Sequence, residues 1–183
     1  ALMNLGRSDV PMGEFWARTR QPDGYIHQAT PAQLRFHDSI KLAASAAHAY
    51  GRALVMAEAF TVFHPDWVPW DQYPFALKDI GDRAFCNGLN RNVLCFYVHQ
   101  PEPDPPGYQW PGCGTNFDRH ITWWRMIHAW VKYLGRCQHM LRQGRFVADV
   151  CYYYGETAPN FVPARDEMDP RLPDVHYHKG LAL

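Results

Sequence analysis

Short apolar runs and helix-spaced apolar positions alternate along this chain. Asp9–Trp16 (DVPMGEFW) reads as the end of a strand, a reading that Pro11 weakens because proline cannot donate to a ladder. Ala53–Phe60 (ALVMAEAF) reads as a buried strand, apolar except for Glu58. Asn92–His99 (NVLCFYVH) and Phe146–Tyr154 (FVADVCYYY) read as two more. Between them, Ser39–Tyr50 is rich in alanine, with Asp38 placed as an N-cap and Gly51 as a C-cap. Ala76–Leu89 predicts a second helix. A long third helix falls within Asp118–Gln143, where Trp123, Ile127, Trp130, Val131, Leu134 and Leu141 recur at three- and four-residue spacings and Gly144 stops the pattern.

The connections are unequal. Helix-to-strand turns are tight, at Gly51-Arg52 and Asn90-Arg91, whereas the strand-to-helix loops over 17–37, 61–75 and 100–117 are long. In α/β folds function gathers where those loops lie, at the C-terminal ends of the strands. The asymmetry suits a β/α barrel and equally a doubly wound open sheet. A full barrel takes about 250 residues and eight βα units. Three units are legible here, so the chain is expected to be a piece of a longer protein or a truncated relative.

Composition narrows the function. Lys plus Arg equals Asp plus Glu, 18 each, so the charge gives no support for a nucleic-acid partner. No apolar run approaches the roughly 18–20 residues that span a bilayer, and no membrane partner is expected. Aromatic residues reach 15%, with seven Trp, flat surfaces suited to sugar rings as well as to a core. The five cysteines form no C-x-x-C pair and are expected as buried, small apolar residues.

Two residues break the apolar runs chemically. Glu14 (MGEFW) and Glu58 (MAEAFT) stand at the predicted ends of successive strands. Placing a carboxylate in an apolar strand is expensive, and is tolerated when it has a partner or a task. Two on neighbouring parallel strands would face one cleft, the arrangement used to cleave glycosidic bonds. Arginine pairing of each glutamate is the structural alternative. Candidate sugar contacts are Trp16, Phe60, His99, Gln100, Trp110 and Phe117, each with a core or structural role as its alternative. His176 and His178 have the spacing of a metal pair but lie in a proline-rich tail.

The runs DVPMGEFW, AASAAHAYGRALVMAEAFT, GDRAFCNGLNRNVLCFYVHQ, TNFDRHITWW and YLGRCQHMLRQGRFVADVCYYYGETAPN, in this order, resemble the α-L-rhamnosidases of glycoside hydrolase family 106. The resemblance implies the last three βα units of a (β/α)8 TIM barrel over 1–144, with 145–183 opening a following domain or forming an extended tail. It implies an inverting hydrolase of terminal α-L-rhamnose, with Glu14 as general base and Glu58 as a further active-site residue that binds sugar or calcium. The general acid would precede residue 1, the remaining barrel would be the chain's partner, and the enzyme would be periplasmic or secreted. Arg125 departs from the resemblance, since an acidic residue is expected after the paired tryptophans. Two other functions stay open: a non-catalytic carbohydrate-binding remnant, and a retaining glycosidase using Glu14 and Glu58 as its pair.

Overall fold

The computed structural model describes residues 2–17, 39–62, 70, 72–109, 115–153 and 177–178. A short helix α1 (Leu2–Gly6) precedes strand β1 (Met12–Trp16). Helix α2 (Ile40–Ala49), strand β2 (Met56–Thr61), helix α3 (Pro74–Cys86) and strand β3 (Arg91–Leu94) follow. One 3-10 turn, Trp124–Met126, leads into helix α4 (Ile127–Leu141), and two short strands, β4 (Tyr152–Tyr153) and β5 (Tyr177–His178), complete the order.

Local chemistry explains the boundaries. α2 is built on alanine, which loses no side-chain entropy in a helix. It ends where Gly51 takes φ 68°, a conformation glycine adopts without Cβ strain. Asp38, the expected N-cap, lies outside the described residues; Ser39 precedes the first turn. α3 starts two residues before its predicted position, with Pro74 in the first turn, where the missing N–H costs nothing. Asn90, buried in the turn before β3, accepts from Val55 N at 2.9 Å and donates to Ala53 O at 2.9 Å. Residues 53–55 are therefore spent on that turn, and β2 begins only at Met56.

β1, β2 and β3 form a parallel sheet in chain order, with Met12, Gly13, Glu14 and Phe15 opposite Met56, Ala57, Glu58 and Ala59. The next pairing is Arg91 to Leu94 against Met56 to Ala59. One face is covered. Phe15, Ala57 and Ala59 share a core with Ile40 of α2, Leu77, Ile80 and Ala84 of α3, and Trp130 and Leu134 of α4. Phe60 belongs to this core and is 0% exposed. The register slips between Phe15 and Trp16, so that Phe60 is an extra residue, and its backbone takes φ 65°. This bulge turns the ring inward, edge-on to Phe15 at 4.9 Å between centroids. Gly81 leaves it room, since a Cβ there would come within 3.2 Å of the Phe60 ring tip.

Three readings of the sequence are corrected by the packing. β3 ends at Leu94, not at His99; beyond it Cys95 and Phe96 exchange backbone bonds with Thr115 and Phe117, at 2.8–3.1 Å. On the third helix Val131 and Leu141 are exposed, and the buried stripe runs through Trp123, Trp130 and Leu134. The run Phe146–Tyr154 gives only Tyr152–Tyr153 as strand. Its Phe146, Val147 and Val150 are exposed, with the Phe146 ring stacked on His48 of α2 at 3.7 Å. The cysteines also differ from expectation. Cys86 and Cys151 are exposed, and Cys95 and Cys137 are half-buried.

α3 and α4 are tied at their outer rims. Asp82 takes hydrogen bonds from both Lys78 Nζ and the Tyr133 hydroxyl, and Lys78 lies 4.7 Å above the Tyr133 ring. Among the described residues, no helix is long and apolar enough to cross a membrane.

Candidate active site

The opposite face of the sheet carries the carboxyl groups. Side chains alternate along a strand, and register partners in a parallel pair point the same way. Phe15 and Ala59 go to the helices, so Glu14 and Glu58, partners in the same register, project from the other face. Neighbouring strands lie about 4.8 Å apart, which makes the two carboxylic side chains immediate neighbours. The row below them holds Met12 and Met56; the row above holds Trp16 opposite Thr61. Val93 continues the Glu14–Glu58 row on β3. This face is only partly covered: Met12 is 41% and Val93 38% exposed.

Each glutamate is fixed by a hydroxyl-bearing residue. Ser39, just before α2, accepts the Glu14 backbone N–H on its Oγ at 2.9 Å, and its own N–H donates to Glu14 O at 3.0 Å. That contact needs the backbones close together. A Cβ on Gly13 would lie 2.8 Å from Ser39 O, so only glycine fits before Glu14. Glu58 is held at its carboxyl group instead, where Thr61 Oγ1 donates to Oε1 at 2.6 Å. Without the extra residue at Phe60, Thr61 would face the helices. The bulge delivers its hydroxyl to the carboxylate side, and Thr115 Oγ1 secures it by donating to Phe60 O at 3.0 Å.

The remaining candidates scatter. Trp16 shares the carboxylate face, one row above Glu14. Phe60 and Phe117 were expected to touch substrate; they are core residues, 0% and 3% exposed, with rings 6.2 Å apart. His99 is exposed in the loop after β3. Gln100 is buried and committed: Nε2 donates to Asp118 Oδ2 at 3.0 Å, and Oε1 accepts from Tyr108 N at 2.8 Å. It pins its loop instead of offering hydrogen bonds to a sugar. Trp110 lies outside the described residues, as does His176, so the histidine pair is not described as a metal site.

Asp118 escaped the sequence reading. It is 1% exposed, accepts from His120 N at 2.8 Å as well as from Gln100, and so organises the loop after β3. Its sequence signal was the run TNFDRH, where a carboxylate two residues before the N–H that donates to it resembles any turn aspartate.

Calcium takes six to eight oxygen ligands. The carboxylate row offers Glu14, Glu58 and the Thr61 hydroxyl, and the described residues contain no group of three or more His, Cys, Asp or Glu placed to share an ion. These oxygens are of the right type and, among the described residues, fall short of a full calcium set.

The family model for α-L-rhamnosidase, glycoside hydrolase 106, matches residues 1–179. The chain belongs to this family. Its sequence is 41% identical over 159 residues to a protein of Formosa agariphila provisionally named a beta-glucuronidase, covering 86% of this chain and 12% of that protein. The solved structure of a rhamnosidase from Novosphingobium sp. PP1Y superposes with a TM-score of 0.67 at 37% identity, covering 85% of this chain and 14% of that one. The family chain therefore spans only a small part of the length of these relatives. The paired glutamates, their strands and the helices behind them all fall within the matched residues.

Proposed function

We propose that this chain carries part of the catalytic centre of an α-L-rhamnosidase, the last three βα units of a (β/α)8 barrel whose other strands would close over the Glu14–Glu58 face. The observation that carries the reading is the register pairing of the two glutamates on the face of a parallel sheet turned away from α2, α3 and α4, in a chain of this family. In a closed barrel that face points inward. Glu14 then acts as general base, drawing a proton from the water that attacks the anomeric carbon, while an acid from another part of the barrel protonates the departing oxygen. Glu58, steadied by Thr61, accepts hydrogen bonds from the sugar's hydroxyls, and Trp16 above the row offers its indole to the ring.

The same register favours a second reading. An inverting pair stands roughly 6.5–9.5 Å apart to admit water, a retaining pair about 5–5.5 Å. Immediate neighbours across one strand spacing suit the shorter separation, with one glutamate as nucleophile and the other as acid and base. The anomer first released separates the two. Rapid proton NMR of the rhamnose set free by the full-length polypeptide shows β-rhamnose on inversion and α-rhamnose on retention. Release of no rhamnose from any α-L-rhamnoside would remove both readings and leave the carbohydrate-binding remnant.

A further inference from the structure

α3 and α4 are neighbours, yet their outward charges differ. α3 carries both signs, Lys78 and Arg83 beside Asp79 and Asp82, and Lys78 pairs with Asp82 four residues on. A solvated helix face ordinarily mixes signs in this way, because such pairs support the helix. Around α4 the acids are gone. Residues 119–148 hold six of the chain's 18 Lys and Arg and none of its 18 Asp and Glu. The positive groups are also aligned. Arg125, His128, Lys132, Arg136 and His139 follow at three- and four-residue spacings, which places them on one face, and all five are exposed. That face is turned away from Trp130 and Leu134, which bury the other side of the helix. Among the described residues, Arg125, Lys132 and Arg136 have no ion-pair partner.

The arrangement works against the helix. Lys132 and Arg136 stand one turn apart and repel each other. Arg125 sits at the N-terminal end, where the helix dipole disfavours positive charge, and the first turn holds no acidic residue to offset it. The packing of α4 does not call for these charges, so they point to a ligand outside it. The shape of the stripe narrows that ligand. A helix surface is convex, so the cations cannot converge on one phosphate or carboxylate; they form a line. From Arg125 to Arg136 the line runs roughly 16 Å, with a cation or a histidine at each turn. Duplex nucleic acid is charged about every 1.7 Å of its axis, and binding it calls for a dense positive field that a chain with equal numbers of acidic and basic residues lacks. A polysaccharide with an acidic group on every pyranose, or on every second one, has the sparser spacing that the stripe offers, and arginine presents a planar fork to such oxyanions.

We propose that this outer face of α4 is a docking strip for an acidic polysaccharide, on the far side of the helix layer from the carboxylate row. It rests on the reading of that row as a rhamnosidase centre, in that the polymer held is the one whose rhamnose is removed.

The full-length polypeptide is titrated calorimetrically, at low and high salt, with polygalacturonate, dextran sulfate, neutral dextran and a DNA duplex. Three forms are compared: the wild type, Lys132→Gln with Arg136→Gln, and Arg7→Gln with Arg52→Gln, which removes the same charge elsewhere. All four positions are exposed, so folding is retained. One or both acidic polysaccharides should bind, the tighter one naming the acidic group, and more weakly as salt rises. Removing the pair on α4 should weaken that binding about tenfold or more, and removing the pair elsewhere less than about twofold. Lys132→Arg with Arg136→Lys should bind as the wild type does. Binding is read without turnover, so it stands or falls apart from the release of rhamnose. No binding of either acidic polysaccharide, equal losses from the two charge pairs, or a duplex or neutral dextran bound as tightly would overturn the proposal.

Discussion

β1 and β2 bring one glutamate each to the same row of the sheet, yet they fix it through different atoms. On β1 the main chain of Glu14 is gripped, N–H and carbonyl both, by Ser39, and the side chain is left to reach outward. On β2 the carboxyl group itself is bound, and the strand gives up its regular pleat at Phe60 to supply the hydroxyl. A group whose position is set by its backbone keeps its carboxyl oxygens available for proton transfer. A group whose oxygen already accepts a short hydrogen bond is better suited to holding a fixed orientation against a ligand. The contrast favours Glu14 as the residue that handles the proton and Glu58 as the one that orients.

The sharpest way to break this comparison is to exchange the carboxyl groups for amides. Glu14→Gln should lower kcat about 10²- to 10⁴-fold, the range for removing a general base. Glu58→Gln should act more on KM. Equal losses of kcat from both, with KM unmoved, would make the two glutamates equivalent and favour the retaining pair.

The next effect tests the grip on Glu58. Thr61→Val keeps the shape and removes the hydroxyl. A hydrogen bond to a charged group contributes about 1.5–3 kcal/mol, so a loss of roughly 10- to 150-fold in kcat/KM is expected. Thr61→Ser restores the donor and should recover most of it. A valine variant as active as the wild type, with serine impaired, would mean that the buried threonine acts only through its packing.

On β1 the matching experiment is Gly13→Ala. The new methyl would meet the Ser39 carbonyl at 2.8 Å, against backbone that cannot yield cheaply. Overpacking of this kind costs about 1–3 kcal/mol, read as a lower denaturant midpoint. An unchanged midpoint would show that the clamp on Glu14 is loose.

Much of this was legible from the sequence. The strand and helix order was readable because apolar runs and helical spacing are local signals, and Glu14 and Glu58 stood out because each interrupts such a run. The expectation that they share one face needed only the alternation of β side chains and proved consistent with their register. What was not legible depended on single residues acting against the pattern. Alternation places Phe60 with Glu58, and nothing local announces a bulge, so it was read as a sugar contact when it is a core ring. Gln100 resembles a polar residue at a strand end until its loop folds back onto Asp118. The apolar run at Phe146 resembles a strand, but pattern alone cannot supply the partner a strand needs.

The smallest effect lies away from the carboxylates, where α3 and α4 meet behind them, and it tests whether the helix layer matters to the row in front. Tyr133 donates its hydroxyl to Asp82, and that bond, with partial burial, raises its pKa above the usual tyrosine value. A group whose folded pKa is raised lends stability at every pH below its unfolded value, near 10, and loses it as the pH climbs through the folded value. Tyr133→Phe should therefore lower the denaturant midpoint by an amount that is constant from neutral pH to about 10 and shrinks above it. The hydroxyl sits at a half-exposed rim beside the exposed Lys78, so the cost should stay below about 1 kcal/mol. Lys78 stays charged throughout this range, its pKa also raised by Asp82, and does not confuse the reading. A midpoint that Tyr133→Phe left unchanged at every pH would mean that the tyrosine serves α4 through its ring, stacked on Trp130 at 5.7 Å, and not through its hydroxyl.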